Sequence, residues 1–129
     1  MRAKARKNMW YLDSGCSNHM TGDRAMFSSI SPKDEGYVTF GDNAKCKIVG
    51  EGKVGKSPNP TIENVLLVNG LKHNLLSISQ FCDKDYKVVF KSNKCVVFDK
   101  NECALFIGSR HNNIYVVDVS VSPSPNTLL

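Results

Sequence analysis

The chain has 129 residues, 41% of them hydrophobic and 22% charged, which suits one globular domain and excludes the compositions of disordered, collagen-like and membrane-embedded chains. Its formal charge of +5 points toward nucleic acid, but Arg2, Lys4, Arg6 and Lys7 supply four of those charges and leave one for the rest. The basic character therefore belongs to an N-terminal arm, and nucleic acid is expected to bind, if at all, only through that arm.

Five cysteines, Cys16, Cys46, Cys82, Cys95 and Cys103, form no C-x-x-C pair, and their odd number argues for reduced thiols and an intracellular location. No apolar h-region follows the basic start, and no apolar run is long enough to cross a bilayer, so neither a signal peptide nor a membrane partner is expected.

The elements follow in chain order. Residues 1–8 read as an arm or polyprotein linker. Met9-Trp10-Tyr11-Leu12 then forms a short apolar strand that stops at Asp13-Ser14-Gly15, a turn-forming triplet. Residues 20–30 show no clear period, and Ser31-Pro32-Lys33-Asp34 reads as a loop or a single helical turn. Tyr37-Val38-Thr39-Phe40 runs into Gly41-Asp42-Asn43, and Cys46-Lys47-Ile48-Val49 returns, the pattern of a hairpin. Further β-like runs at 61–68, 75–78, 86–90, 95–98, 104–107 and 114–119 alternate with Gly, Asn, Asp or Lys clusters. This spacing predicts an all-β barrel or sandwich. A brief helix is expected only at 79–84, and residues 120–129, with Pro123 and Pro125 among serines, read as a linker.

Several motifs compete for the chemistry. Gly50-Glu51-Gly52-Lys53-Val54-Gly55-Lys56-Ser57 satisfies both the P-loop and the dinucleotide patterns. Both need a helix starting at the last glycine, because phosphate is held by free N–H groups at a helix N-terminus. Pro58 and Pro60 follow at once and a β-like run comes next, so the segment is expected to be a hairpin. Lys45, Lys47, Lys53 and Lys56 should face water, with Ile48 and Val54 turned inward. Cys16 and His19 are spaced as half a metal site, but no second pair matches, and no metal is expected. His73 and His111 stand in polar, loop-like contexts without a nucleophile elbow.

Asp13-Ser14-Gly15 remains. A strand that delivers an Asp into a tight turn is what a carboxylate protease needs to present its acid rigidly. Trp10-Tyr11-Leu12-Asp13-Ser14-Gly15-Cys16-Ser17-Asn18-His19-Met20-Thr21 closely resembles the start of the protease in copia-type LTR retrotransposon polyproteins. The likeness continues through Val38 to Asn43, Gly50, Gly52, and Asn64 through Ile78.

That resemblance implies a retropepsin-like β-barrel, closed or partly open, over residues 9–119. It implies Asp13 as the catalytic carboxylate, Ser14 as the hydroxyl bracing paired turns, and Gly15 as the residue that lets them approach. It places substrate-covering residues at Phe40, Gly41, Asp42, Gly50 and Gly52, and a segment supporting the active turn at Asn74, Leu75, Leu76 and Ser77. Cys16 stands where retroviral proteases usually have alanine, and the β structure after residue 86 exceeds their pattern.

Two carboxylates are needed to share one proton. The chain has a single Asp-Ser-Gly and no Asp-Thr-Gly, so the reading implies a homodimer acting on polyprotein peptides without a cofactor, in the cytoplasm or in virus-like particles. A catalytically inactive β-barrel module of the same polyprotein is the alternative.

Overall fold

A computed structural model describes residues 8–40, 44–121 and 123. Eleven strands alternate with one short α-helix and one 3-10 turn. The strands are β1 (Met9–Asp13), β2 (Met20–Thr21), β3 (Phe27–Pro32), β4 (Tyr37–Thr39), β5 (Lys45–Val54) and β6 (Ile62–Val68), followed by β7 (Asn74–Ser77), β8 (Lys87–Phe90), β9 (Lys94–Phe98), β10 (Ala104–His111) and β11 (Ile114–Asp118). The helix α1 spans Ile78–Asp83, and the 3-10 turn spans Arg24–Met26.

The fold is all-β. Its single sheet runs β3-β5-β6-β2-β7-β1-β11-β10-β9-β8, with β4 paired to β5 off this path, and among the described residues the two end strands do not meet. The barrel expected from the sequence is thus an open one. Residues 1–7 and 124–129, which include most of both expected linkers, lie outside the described residues, as do Gly41 and Asp42.

Two side-chain clusters pack against the sheet. Trp10, Val65, Leu76, Phe81, Val97, Phe106 and Val117 share the larger one. Met20, Ile48, Leu66 and Val68 form the smaller, against which Cys16, Val38, Phe40 and Leu75 pack. Successive residues point to opposite faces of a strand. Hence Val65 and Leu66 in β6, and Leu75 and Leu76 in β7, feed different clusters. The unbroken apolar run at the end of β6 is that of a central strand buried on both faces.

The hairpin of β4 and β5 forms as expected, with Val38 opposite Cys46. Lys45, Lys47 and Lys56 are exposed, Lys53 is half-buried, and Ile48 and Val54 are buried. The P-loop-like octapeptide carries no helix, since β5 continues through it to Val54.

Two local expectations need correction. Residues 20–30, which show no period, hold β2, the 3-10 turn and most of β3, and Ser31-Pro32 continues β3 rather than turning. The reason is position. A two-residue strand is too short to show alternation, and β3 pairs only with β5, so Pro32 sits at the end of an edge strand, where a missing N–H costs least.

Candidate functional site

β1 is pinned by Trp10, which is fully buried, and lies between β11, antiparallel, and β7, parallel. The parallel register sets Leu12 opposite Leu76 and Asp13 opposite Ser77. Beyond Asp13 the chain leaves the sheet. The Gly15 N–H donates to Asp13 Oδ1 at 2.7 Å, the Asx-type closure that favours Asp in such turns. A Cβ on Gly15 would stand 3.2 Å from that same oxygen, so glycine here keeps the carboxylate uncrowded. Asp13 is half-buried, while Ser14 and Gly15 are exposed.

Cys16 completes the turn by directing its thiol toward the Asp13 carbonyl at 3.8 Å. Burial, with the negative charge of Asp13 behind it, pushes that thiol up to about 11, so it stays protonated at neutral pH and serves as a weak donor.

The four residues 74–77 predicted to support the turn are all in β7, and each holds something different. Asn74 Nδ2 donates to the Met9 carbonyl at 3.2 Å, and its Oδ1 accepts from Thr21 Oγ1 at 2.6 Å, tying β1 to β2. Leu75 and Leu76 divide between the two clusters. Ser77, fully buried, donates through Oγ to the Cys16 carbonyl at 2.8 Å and so fastens the turn to the start of α1.

Two residues without a sequence-assigned role in this frame prove central to it. His19 is 2% exposed; its Nδ1 accepts the Ser77 N–H at 2.9 Å, and its own N–H donates to Gln80 Oε1 at 2.7 Å. Gln80 Nε2 donates in turn to the Asn64 carbonyl at 3.1 Å, a strand residue at φ +59°, a conformation that Asn tolerates better than most residues. Burial, then the positive charge of Lys84, pulls His19 down to about 4, so the ring is neutral at physiological pH. In the sequence His19 stands out only by its spacing from Cys16 and by its place in the Trp10–Thr21 stretch, neither of which gives it a role. Among the described residues no three His, Cys, Asp or Glu gather as metal ligands, and the His19 nitrogen facing Ser77 is engaged as an acceptor.

The residues expected to cover substrate separate into two groups. Phe40 lies at the mouth of the β4–β5 hairpin, where its N–H donates to the Ala44 carbonyl at 3.0 Å. It packs against the same Met20–Ile48–Leu66–Val68 cluster as Cys16, which links the hairpin to the Asp13 turn. Gly50 and Gly52 lie instead inside β5, between β3 and β6. A Cβ on Gly52 would fall 2.0 Å from the Ser29 carbonyl oxygen, so this glycine serves the close crossing of three strands.

A protein-family model described as Pol polyprotein, beta-barrel domain, matches residues 10–86. The chain belongs to that family. The matched span runs from β1 to the residue before β8, so it holds the Asp13 turn, His19, the β4–β5 hairpin, β7 and α1, and leaves out β8 to β11. Those later strands nonetheless extend the same sheet, since β11 pairs with β1 across Trp10 and Val117. No curated protein and no solved structure matches the chain.

A broad groove of about 910 Å³ crosses β1, β7 and β11, lined by Tyr11, His73, Asn74, His111 and Ile114 among others, and it does not include Asp13. His73 packs its ring on Tyr11 with centroids 5.3 Å apart, and His111 shares a 3.0 Å hydrogen bond with Ser109.

Proposed function

We propose that the chain is the aspartic endopeptidase of a copia-type retrotransposon Pol polyprotein, with Asp13 as the carboxylate that each subunit contributes. The observation that carries this reading is the Asp13 turn itself: a carboxylate at the end of a central strand, closed by Gly15 and fastened through Ser77. An ordinary surface turn has no need of a fully buried serine 61 residues away to hold its backbone.

Peptide hydrolysis by this chemistry needs two carboxyl groups sharing one proton, one drawing a proton from water as it attacks the scissile carbonyl, the other donating to the carbonyl oxygen. One chain supplies one such Asp, and its exposed Ser14 and Gly15 leave the turn open to a second copy. Two-fold pairing would place Asp13 against Asp13 of its partner. The β4–β5 hairpin, with Phe40 at its mouth, would lie along an extended substrate and add backbone hydrogen bonds to it. The peptide bonds cut are those of the parent polyprotein.

Self-cleavage tests the reading. The chain fused to flanking polyprotein sequence should process itself, and the Asp13→Asn form should not. Equal processing by both, or a strictly monomeric native chain that still cleaves, would sink it.

A further inference from the structure

α1 opens with Ser77-Ile78-Ser79-Gln80, the spacing of a capping box, in which the side chain of the fourth residue returns to bond the N–H of the first. Half of that box is present, since Ser77 Oγ accepts the Gln80 N–H at 3.1 Å. The other half is not. The Ser77 N–H goes to His19 Nδ1, and Gln80 Oε1 takes the N–H of His19. His19 therefore stands inside the box as a third member inserted from the segment between β1 and β2.

This insertion joins three pieces of chain. Leu66 of β6 donates its N–H to the His19 carbonyl at 2.9 Å, Gln80 reaches on to the Asn64 carbonyl, and Ser77 reaches back to Cys16 beside Asp13. The ring packs on Phe81 with centroids 4.4 Å apart. The tautomer follows from the donor it faces: Nδ1 carries the lone pair, and the proton sits on Nε2.

Protonation would fall on Nδ1, turning an acceptor into a second donor pointed at an N–H. The titratable groups that line the same surface pocket as His19 are Glu63 from β6, Lys84 and Tyr86 after α1, and Lys100 from the β9–β10 turn, of which Glu63, Lys84 and Lys100 are exposed. Burial, and after it the positive charge of Lys84, opposes protonation and holds the ring down to about 4.

We propose that neutral His19 is the positioning residue that holds Ser77, and through it the Asp13 turn, and that protonation of its Nδ1 releases this hold and sets the acid limit of the site. The role in catalysis rests on the protease reading; the structural role does not. An enzyme whose acid pair works best with one proton gains from a nearby group that titrates only below its working range.

The test combines NMR with kinetics on the full chain. The His19 ring nitrogens and the Ser77 amide are followed from pH 7 to 3.5 in the native protein, in His19→Asn, which keeps a short acceptor without titrating, and in His19→Phe, which has none. The Ser77 amide and the His19 ring should inflect together near pH 4, and the Ser77 inflection should vanish in His19→Asn. Cleavage by His19→Phe at neutral pH should fall about ten-fold in kcat with KM little changed, the effect of one lost buried hydrogen bond. His19→Asn should keep most of the rate and lose the acid break.

A Ser77 amide that stays flat while His19 titrates, or an acid break unchanged in His19→Asn, would overturn the proposal. A chain that cleaves nothing at any pH refutes the protease reading alone, because the shared inflection still decides the positioning role.

Discussion

Replacing Ser77 with alanine removes one oxygen that makes three hydrogen bonds, one of them with the neighbouring Ser79 hydroxyl and two that tie separate parts of the chain. Ser77 Oγ accepts the Gln80 N–H as the N-cap of α1, and losing a serine cap costs roughly 1 kcal/mol. The same hydroxyl donates to the Cys16 carbonyl, which then lacks that partner, at a cost of about 1–2 kcal/mol. Ser77 is fully buried and its bond from Gln80 is shut off from water, whereas the Cys16 carbonyl is only partly buried. We therefore expect Ser77→Ala to lose about 2–3 kcal/mol. Urea denaturation should show the midpoint falling with the slope unchanged. Amide exchange at Cys16 and Gly15 should quicken more than exchange in β9 or β10, because the damage is local to the Asp13 turn. A loss below about 0.5 kcal/mol would match an ordinary surface substitution and refute the idea that Ser77 fastens the turn.

Acidification should weaken the fold in a defined window. His19 is held at about 4 in the folded chain against a usual 6.5, so the unfolded chain takes its proton first, and stability drains away as pH falls from 6.5 to about 4. At about 1.4 kcal/mol per pH unit the total is about 3 kcal/mol, and urea midpoints for His19→Asn should be flatter across this range than for the native chain. Glu51, held below the usual carboxylate range by Lys33, acts in the same direction at lower pH, its contribution being present above the unfolded value and lost on acidification. Gly52→Ala should cost about 3 kcal/mol by forcing β3 and β5 apart, whereas a glycine in a freely moving cover would give a near-neutral change in the same melt. Thiol labelling of the native chain, followed by mass spectrometry, should modify the exposed Cys82 and Cys103 first and leave Cys95 protected, since it is buried and its thiol is pushed up to about 11.

Most strands are visible in the sequence because their apolar residues alternate or run together at strand length. The runs at 61–68, 95–98 and 114–119 fall within a residue or two of β6, β9 and β11. Their hairpin partners follow from the turn residues between them. β2 and β3 are hidden for opposite reasons, one too short to show a period, the other an edge strand rich in serine. Gly50 and Gly52 mark close strand crossing as readily as a mobile hairpin, and only the contacts of their missing Cβ atoms distinguish the two.

The candidate site divides along the same line. Asp13-Ser14-Gly15 closes through a hydrogen bond spanning two residues, and a turn of that kind is written in its own side chains. Nothing local places Ser77 opposite Asp13 or His19 inside the capping box of α1. Those partners are 58 to 64 residues apart, and they meet because β1 and β7 can pair in parallel only when Leu75 and Leu76 fill clusters on opposite faces of the sheet. The sequence by itself determined the presence of the carboxylate turn and the strand that carries it. The tertiary structure decided what holds that turn, because the partners of a buried polar group are chosen by the packing that excludes water from it.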